Sequence, residues 1–278
     1  MQLYSIDTGY FKLDGGAMFG VVPKTIWNTI NPADERNLCN WAMRCLLVEE
    51  GNRLVLIDCG LGNKQSEKFF SHYEPHGEMN LQSSLIESGF SPEDVTDVFL
   101  THLHFDHCGG AVKYDTEKKL VPAFKNAAYY SCEKHWETAT KPNQREKASF
   151  LKENILPIQQ SGQLKMLTDG EELFPGFKTI FVYGHTEAMM LPIIQYKNQT
   201  IAYMADLIPS AGHIPIPYVM AYDIRPMISL QEKETFLNTA IENNYLLFFE
   251  HDPKIEACSL IKTDRGIRLG EEVEVSGL

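Results

Sequence analysis

The sequence predicts an α/β protein of four layers, an αββα sandwich of two mixed β-sheets packed face to face and flanked by helices. Three observations predict it. Apolar strand-like runs recur in both halves of the 278 residues, helical patterns accompany each half, and no linker, repeat or low-complexity run parts them. We therefore expect one domain spanning residues 1–278, long enough to bury its core without disulfides.

The elements follow in order. Ala42 to Glu49 and Arg53 to Asp58 flank Glu50-Gly51-Asn52 and read as a hairpin ended by Cys59-Gly60. Leu81, Leu85 and Ile86 have helical spacing before Gly89, and Ser91-Pro92-Glu93 predicts the start of a second short helix. Val95 to Leu100 is a β-branched apolar run that stops at Thr101-His102, as a buried strand would. Phe177 to Tyr183, Leu191 to Tyr196 and Thr200 to Met204 read as further strands, the last two joined through Lys197-Asn198-Gln199. Ser229-x-x-Glu232 predicts a capping box, followed by the stripe Leu230, Phe236, Leu237, Ala240 and Ile241 and by a strand from Leu246 to Glu250.

Composition narrows the partners. Residues are 44% hydrophobic and 22% charged, an ordinary soluble mixture, and 25 Lys+Arg against 37 Asp+Glu give a net charge of -12. That charge repels nucleic acid and anionic lipid, so neither is an expected partner. The run Tyr245-Leu-Leu-Phe-Phe249 is far short of the ~20 residues that span a bilayer. The N-terminus has no basic-then-apolar signal pattern, and the six cysteines form no Cys-x-x-Cys pair, so a cytoplasmic location is expected. The pattern specifies no oligomer.

Chemistry concentrates in Thr101-His102-Leu103-His104-Phe105-Asp106-His107-Cys108-Gly109-Gly110, which holds three of nine histidines within six residues. A solvated loop has no reason to follow a buried strand directly, whereas alternating imidazole and carboxylate on a tight turn can converge on a divalent cation. Singly, His185, Asp206 and His251 would be ordinary caps or surface groups. All three follow apolar strands, as His102 does, so one rim of one sandwich would hold every ligand. Cys108 reads as a packing residue beside the loop.

At these positions the sequence resembles the metallo-β-lactamase-fold hydrolases, from Leu56-Ile57-Asp58-Cys59-Gly60 through His102 to His107, Gly184-His185-Thr186, Asp206 and His251. The resemblance implies that His102, His104 and His185 hold one metal, that Asp106, His107 and His251 hold the other, and that Asp206 bridges them. It implies a supporting role for Asp58, whose other reading is a simple turn carboxylate. Two departures stand out: Gly184-His185-Thr186 lacks a following Pro-Gly-His, and Asp206 stands where antibiotic-hydrolysing branches with a thiolate ligand carry Cys. β-Lactam hydrolysis is therefore not expected.

Two such ions, zinc by default with manganese, cobalt or iron as alternatives, would share a hydroxide able to attack a carbonyl or phosphoryl group. Asp106 is both ligand and proton shuttle in this reading. Tyr222 corresponds to a phenol that related lactonases turn to substrate; a core aromatic is its other reading, and Tyr218 lies nearby. The apolar segments Gly15 to Lys24 and Ile208 to Tyr222 would wall a pocket for a small molecule with an apolar portion. Asp14-Gly-Gly-Ala-Met-Phe-Gly-Val-Val-Pro-Lys24 resembles the start of the lactonase and organophosphate-hydrolase branch. Opening of a lactone or ester, N-acyl homoserine lactones included, is the expected reaction. Phosphotriester, phosphodiester and glyoxalase II-like thioester hydrolysis are the alternatives, and a mononuclear-iron persulfide dioxygenase is the rival from another class.

Overall fold

Alternating strands and helices build two compact units in the computed structural model, which describes residues 1–278. One unit comprises Met1–Gly9, Met43–His72 and His76–Asp169; the other comprises Tyr10–Ala42, Tyr73–Pro75 and Gly170–Leu278. In chain order the strands are β1 (Gln2–Asp14), β2 (Leu38–Glu50), β3 (Arg53–Ile57), β4 (Asp97–Phe99), β5 (Val112–Tyr114), β6 (Leu120–Pro122), β7 (Ala128–Ser131) and β8 (Leu164–Met166). They continue with β9 (Glu172–Phe174), β10 (Phe177–Val182), β11 (Met189–Tyr196), β12 (Gln199–Tyr203), β13 (Leu246–Phe248), β14 (Ala257–Thr263) and β15 (Gly266–Val273).

The first unit contains the six-stranded sheet β1-β2-β3-β4-β7-β8, to which β1 and β2 contribute the residues they have in this unit. The predicted hairpin pairs β2 with β3 antiparallel through Glu50↔Arg53, and Gly51 supplies the left-handed turn at φ 61°. β3, β4, β7 and β8 then run parallel. Their apolar faces meet in a core that includes Cys45, Leu47, Leu56, Val98, Leu100 and Tyr129. Parallel strands present their C-terminal ends on one edge, the edge where α/β proteins place their sites. Here Asp58 follows β3 and Thr101-His102 follow β4.

The second unit carries the seven-stranded sheet β15-β14-β13-β12-β11-β10-β9. Only β12 and β13 pair in parallel, with Tyr203 opposite Phe248 and their rings stacked at 5.4 Å. The class expected from sequence, mixed sheets with flanking helices, is the class formed.

Two helix starts differ from expectation. The long helix begins at Pro226 rather than at a capping box, so Ser229 lies inside it and the Glu232 carboxylate accepts instead from the Tyr183 and Gly184 N–H groups at 2.7 and 3.0 Å. Proline at the first position needs no donor, which lets the helix start there. Ser91-Pro92-Glu93 forms a turn, because Asp94 takes both the Ser91 N–H and its hydroxyl at 2.7 Å.

The two segments expected to wall a pocket are joined within the second unit. The Phe19 ring stacks on His213 at 4.5 Å and on Trp27 at 5.7 Å. His213 Nε2–H donates to the Met18 carbonyl at 2.9 Å while its Nδ1 accepts from the Ser210 hydroxyl at 2.7 Å. Burial pushes this imidazole down to about 3, so it serves as a neutral cross-tie. Gly20, at φ 57°, permits the closest approach: a Cβ there would lie 2.3 Å from the Val219 carbonyl oxygen.

Lys233 secures the same loop from the helix Pro226–Glu242. Its buried ammonium donates to the Pro215 and Tyr218 carbonyls, each at 2.8 Å. Burial pushes Lys233 from 10.5 down to about 7, so between these values the unfolded chain binds more protons than the folded one. Stability is therefore expected to rise with pH across that window, and Lys233→Met to flatten the rise. Urea midpoints at pH 7 and 9 measure it; equal slopes in both proteins would refute the assignment.

Candidate metal centre

Four of the predicted ligands stand three residues beyond a strand end: His102 after β4, His185 after β10, Asp206 after β12 and His251 after β13. Because β12 and β13 are parallel and in register, Asp206 and His251 leave the sheet at matching positions. Both are buried, as is His185. The residue before Asp206, Ala205, is held at φ 41°, a left-handed conformation that side chains disfavour and that occurs here where the carboxylate is aimed.

In the second unit Asp206 joins two imidazoles. Its Oδ2 lies 3.1 Å from His185 Nε2 and its Oδ1 lies 3.1 Å from His251 Nε2. The outer nitrogens are fixed. His185 Nδ1 donates to Asp223 at 2.9 Å, and His251 Nδ1 donates to the Ala42 carbonyl at 2.8 Å. A carbonyl oxygen can only accept, so the tautomer of His251 directs the Nε2 lone pair toward Asp206. Burial disfavours a charged His185, but Asp206 and Asp223 outweigh it and hold the imidazole up to about 10. Such a place attracts positive charge.

In the first unit the segment after β4 turns into the short helix Phe105–Cys108, which gathers His102, His104, Asp106 and His107, all buried. His102 Nε2 and His104 Nδ1 approach to 3.1 Å, the rings of His102 and His107 to 3.9 Å, and His107 Nε2 lies 3.8 Å from Asp106. Asp58, wholly buried and at φ 58°, organises this group. It accepts the Thr101 N–H at 2.8 Å, the Thr101 hydroxyl at 2.6 Å and His107 Nδ1 at 3.2 Å. With its one proton committed to Asp58, the Thr101 hydroxyl receives His102 Nδ1–H at 3.1 Å, leaving the His102 Nε2 lone pair turned inward.

These donor sets fit divalent metal. The inner nitrogens of His102, His107 and His251 carry lone pairs, outer partners fix their rings, and carboxylates supply negative charge. Cys108 takes no part: its Sγ donates to the Leu103 carbonyl, and burial pushes the thiol up to about 12. Tyr222 is 40% exposed and so is no core aromatic, while Tyr218 sets its ring edge-on to Phe19. The turn after His185, where Pro-Gly-His is missing, has Ala188 at φ 52° and is braced by Arg225, which donates to the Tyr183 carbonyl and pairs with Glu187 at 2.6 Å.

Residues 44–251 match the profile described as Metallo-beta-lactamase superfamily. The chain belongs to the metallo-β-lactamase superfamily. This superfamily member is 22% identical over 272 residues to an N-acyl homoserine lactonase of Bacillus cereus, a match covering 90% of this chain and 93% of that protein. Among solved structures it resembles a probable metal-dependent hydrolase from Staphylococcus aureus, with 29% identity, a TM-score of 0.88 and 98% of each chain covered. It also shares its fold with AidC, a dizinc quorum-quenching lactonase in complex with a product, at 23% identity and a TM-score of 0.79, covering 98% of this chain and 94% of that one.

Two residues of this superfamily member's site escaped the sequence reading. Thr101 and Asp223 lie within hydrogen-bond distance of His102 Nδ1 and His185 Nδ1, yet a lone threonine and a lone aspartate in loops carry no signal of such a contact. Asp58, expected as either a support or a turn carboxylate, turns the chain at φ 58° and accepts from Thr101 and His107.

Proposed function

We propose that this chain is a dinuclear metal-dependent hydrolase that opens lactones or other esters, N-acyl homoserine lactones among them. The superfamily profile across 44–251 and the lactonase relatives support a metal-dependent hydrolase acting on esters. The observation that carries the two-ion reading is Asp206, whose two oxygens turn to different histidines, the arrangement a bridging carboxylate needs. In this reading His102, His104 and His185 hold one ion, Asp106, His107 and His251 hold the other, and residues 1–278 act as one domain. Zinc is the first choice for so nitrogen-rich a set.

When bound, two such ions supply Lewis acidity and an acidified water near neutral pH. The chain's own residues do the rest. Asp106 would take the proton that the attacking water gives up and pass it to the leaving alkoxide oxygen as the acyl–oxygen bond breaks, and the Tyr222 hydroxyl would donate to the oxygen that gains charge as the carbonyl is attacked. Gly15 to Lys24 and Ile208 to Tyr222 bury the apolar portion of the substrate and exclude water. The net charge of -12 supports a small-molecule substrate over nucleic acid. No helix is long and apolar enough to cross a membrane.

Elemental analysis of protein purified without added metal, followed by a panel of lactones, esters, thioesters and phosphotriesters, tests the proposal. About two zinc, manganese or cobalt ions per chain with lactone opening is the expected result. About one iron per chain, with no lactone opened and persulfide oxidised, would overturn it. In the same assays Tyr222→Phe is expected to lower kcat/KM on lactones about tenfold, the loss of one hydrogen bond, with metal content unchanged.

A further inference from the structure

Four of the five histidines assigned to the ions have their outer nitrogen held at hydrogen-bond distance: His102 by Thr101, His107 by Asp58, His185 by Asp223 and His251 by the Ala42 carbonyl. His104 is oriented the other way round. Its Nδ1 faces His102 Nε2, so Nε2 is the nitrogen that points away, and the Glu146 carboxylate lies 4.0 Å from it.

Glu146 is only 4% exposed, and the chain around it is built to keep it there. The Asn143 side-chain oxygen accepts the Arg145 and Glu146 N–H groups at 2.8 and 3.1 Å, while its amide donates to Glu146 Oε2. Ser149 N–H donates to the Glu146 carbonyl at 2.8 Å, and the Ser149 carbonyl accepts Phe105 N–H at 3.0 Å, tying this turn to the first residue of the helix bearing Asp106 and His107. Phe150 packs its ring 4.7 Å from that of His104. Burying a carboxylate is costly unless it meets a donor or a cation, and the oxygen not taken by Asn143 is the one nearest His104.

We propose that Glu146 is a positioning residue for the metal: its buried carboxylate, 4.0 Å from His104 Nε2 and so acting by charge across that gap, favours the proton on this nitrogen, fixes the tautomer that leaves Nδ1 bare, and raises the basicity of that nitrogen. The inference rests on the two-ion reading and concerns one of its two sites. Glu146→Gln keeps size and the contact to Asn143 while removing the charge. Competitive chelator titration with zinc is expected to show one ion bound about 10- to 100-fold more weakly in the variant and the other unchanged. A general loss of structure would weaken both.

Two wild-type affinities retained in Glu146→Gln would overturn the inference while leaving the two-ion reading intact. A wild type that takes up a single ion would instead sink the two-ion reading; weaker binding of that ion by Glu146→Gln would still support the role of Glu146, and equal binding would refute it. Should Glu146→Gln fail to fold, Glu146→Asp, which keeps the charge but withdraws it by one methylene, carries the same titration.

Discussion

Asp206→Ala is expected to lower kcat/KM on a lactone by about a thousandfold or more, equivalent to ~4 kcal/mol of transition-state stabilisation. The loss has two sources. The carboxylate places one oxygen 3.1 Å from His185 Nε2 and the other 3.1 Å from His251 Nε2, so its removal takes a shared ligand from both proposed ions. It also leaves buried imidazoles facing each other with no anion between them. Metal content should fall below two per chain alongside activity. Asp206→Asn separates the causes, because it keeps the shape and discards the charge; activity near wild type in Asn would mean that the carboxylate is not a bridge.

Asp58→Ala acts on the fold instead. Three donors converge on this wholly buried carboxylate, two from Thr101 and one from His107, and alanine leaves all three without their acceptor. A destabilisation of about 3–5 kcal/mol is expected in urea unfolding of metal-free protein. Asp58→Asn should cost less, since an amide oxygen still accepts one bond and asparagine tolerates the observed φ of 58°. A change below about 1 kcal/mol in Asp58→Ala would show that the network is replaceable by water.

Where apolar runs and abrupt polar stops coincide, the sequence was readable. β10, β11 and β12 lie within two residues of their expected bounds, and the proposed ligands after strands stand out because buried runs end sharply at a polar residue. β1 was not found. Its buried positions are Leu3, Ile6, Gly9 and Phe11, a spacing of three that resembles no strand until Gly9, at φ 96°, changes the step. Glu232 shows a different failure: the local signature of a cap was present, but a tertiary demand from the Tyr183 and Gly184 amides claimed the carboxylate. The contacts of Thr101 with His102, of Asp223 with His185 and of the proposed Glu146 support with His104 are invisible for the same reason, because each is made by geometry alone or with a partner distant in sequence.

The cysteines give the molecule a built-in clock. All six are buried thiols outside any disulfide, and burial pushes the thiols of Cys39, Cys108 and Cys258 up to about 11, 12 and 12. A thiol reagent reacts with exposed thiolate, so on the native protein it must wait for the chain to open. Cys45, Cys59, Cys108 and Cys132 belong to one compact unit and Cys39 and Cys258 to the other. The order in which the two sets are labelled therefore reports whether the units open together or in turn, with no residue replaced.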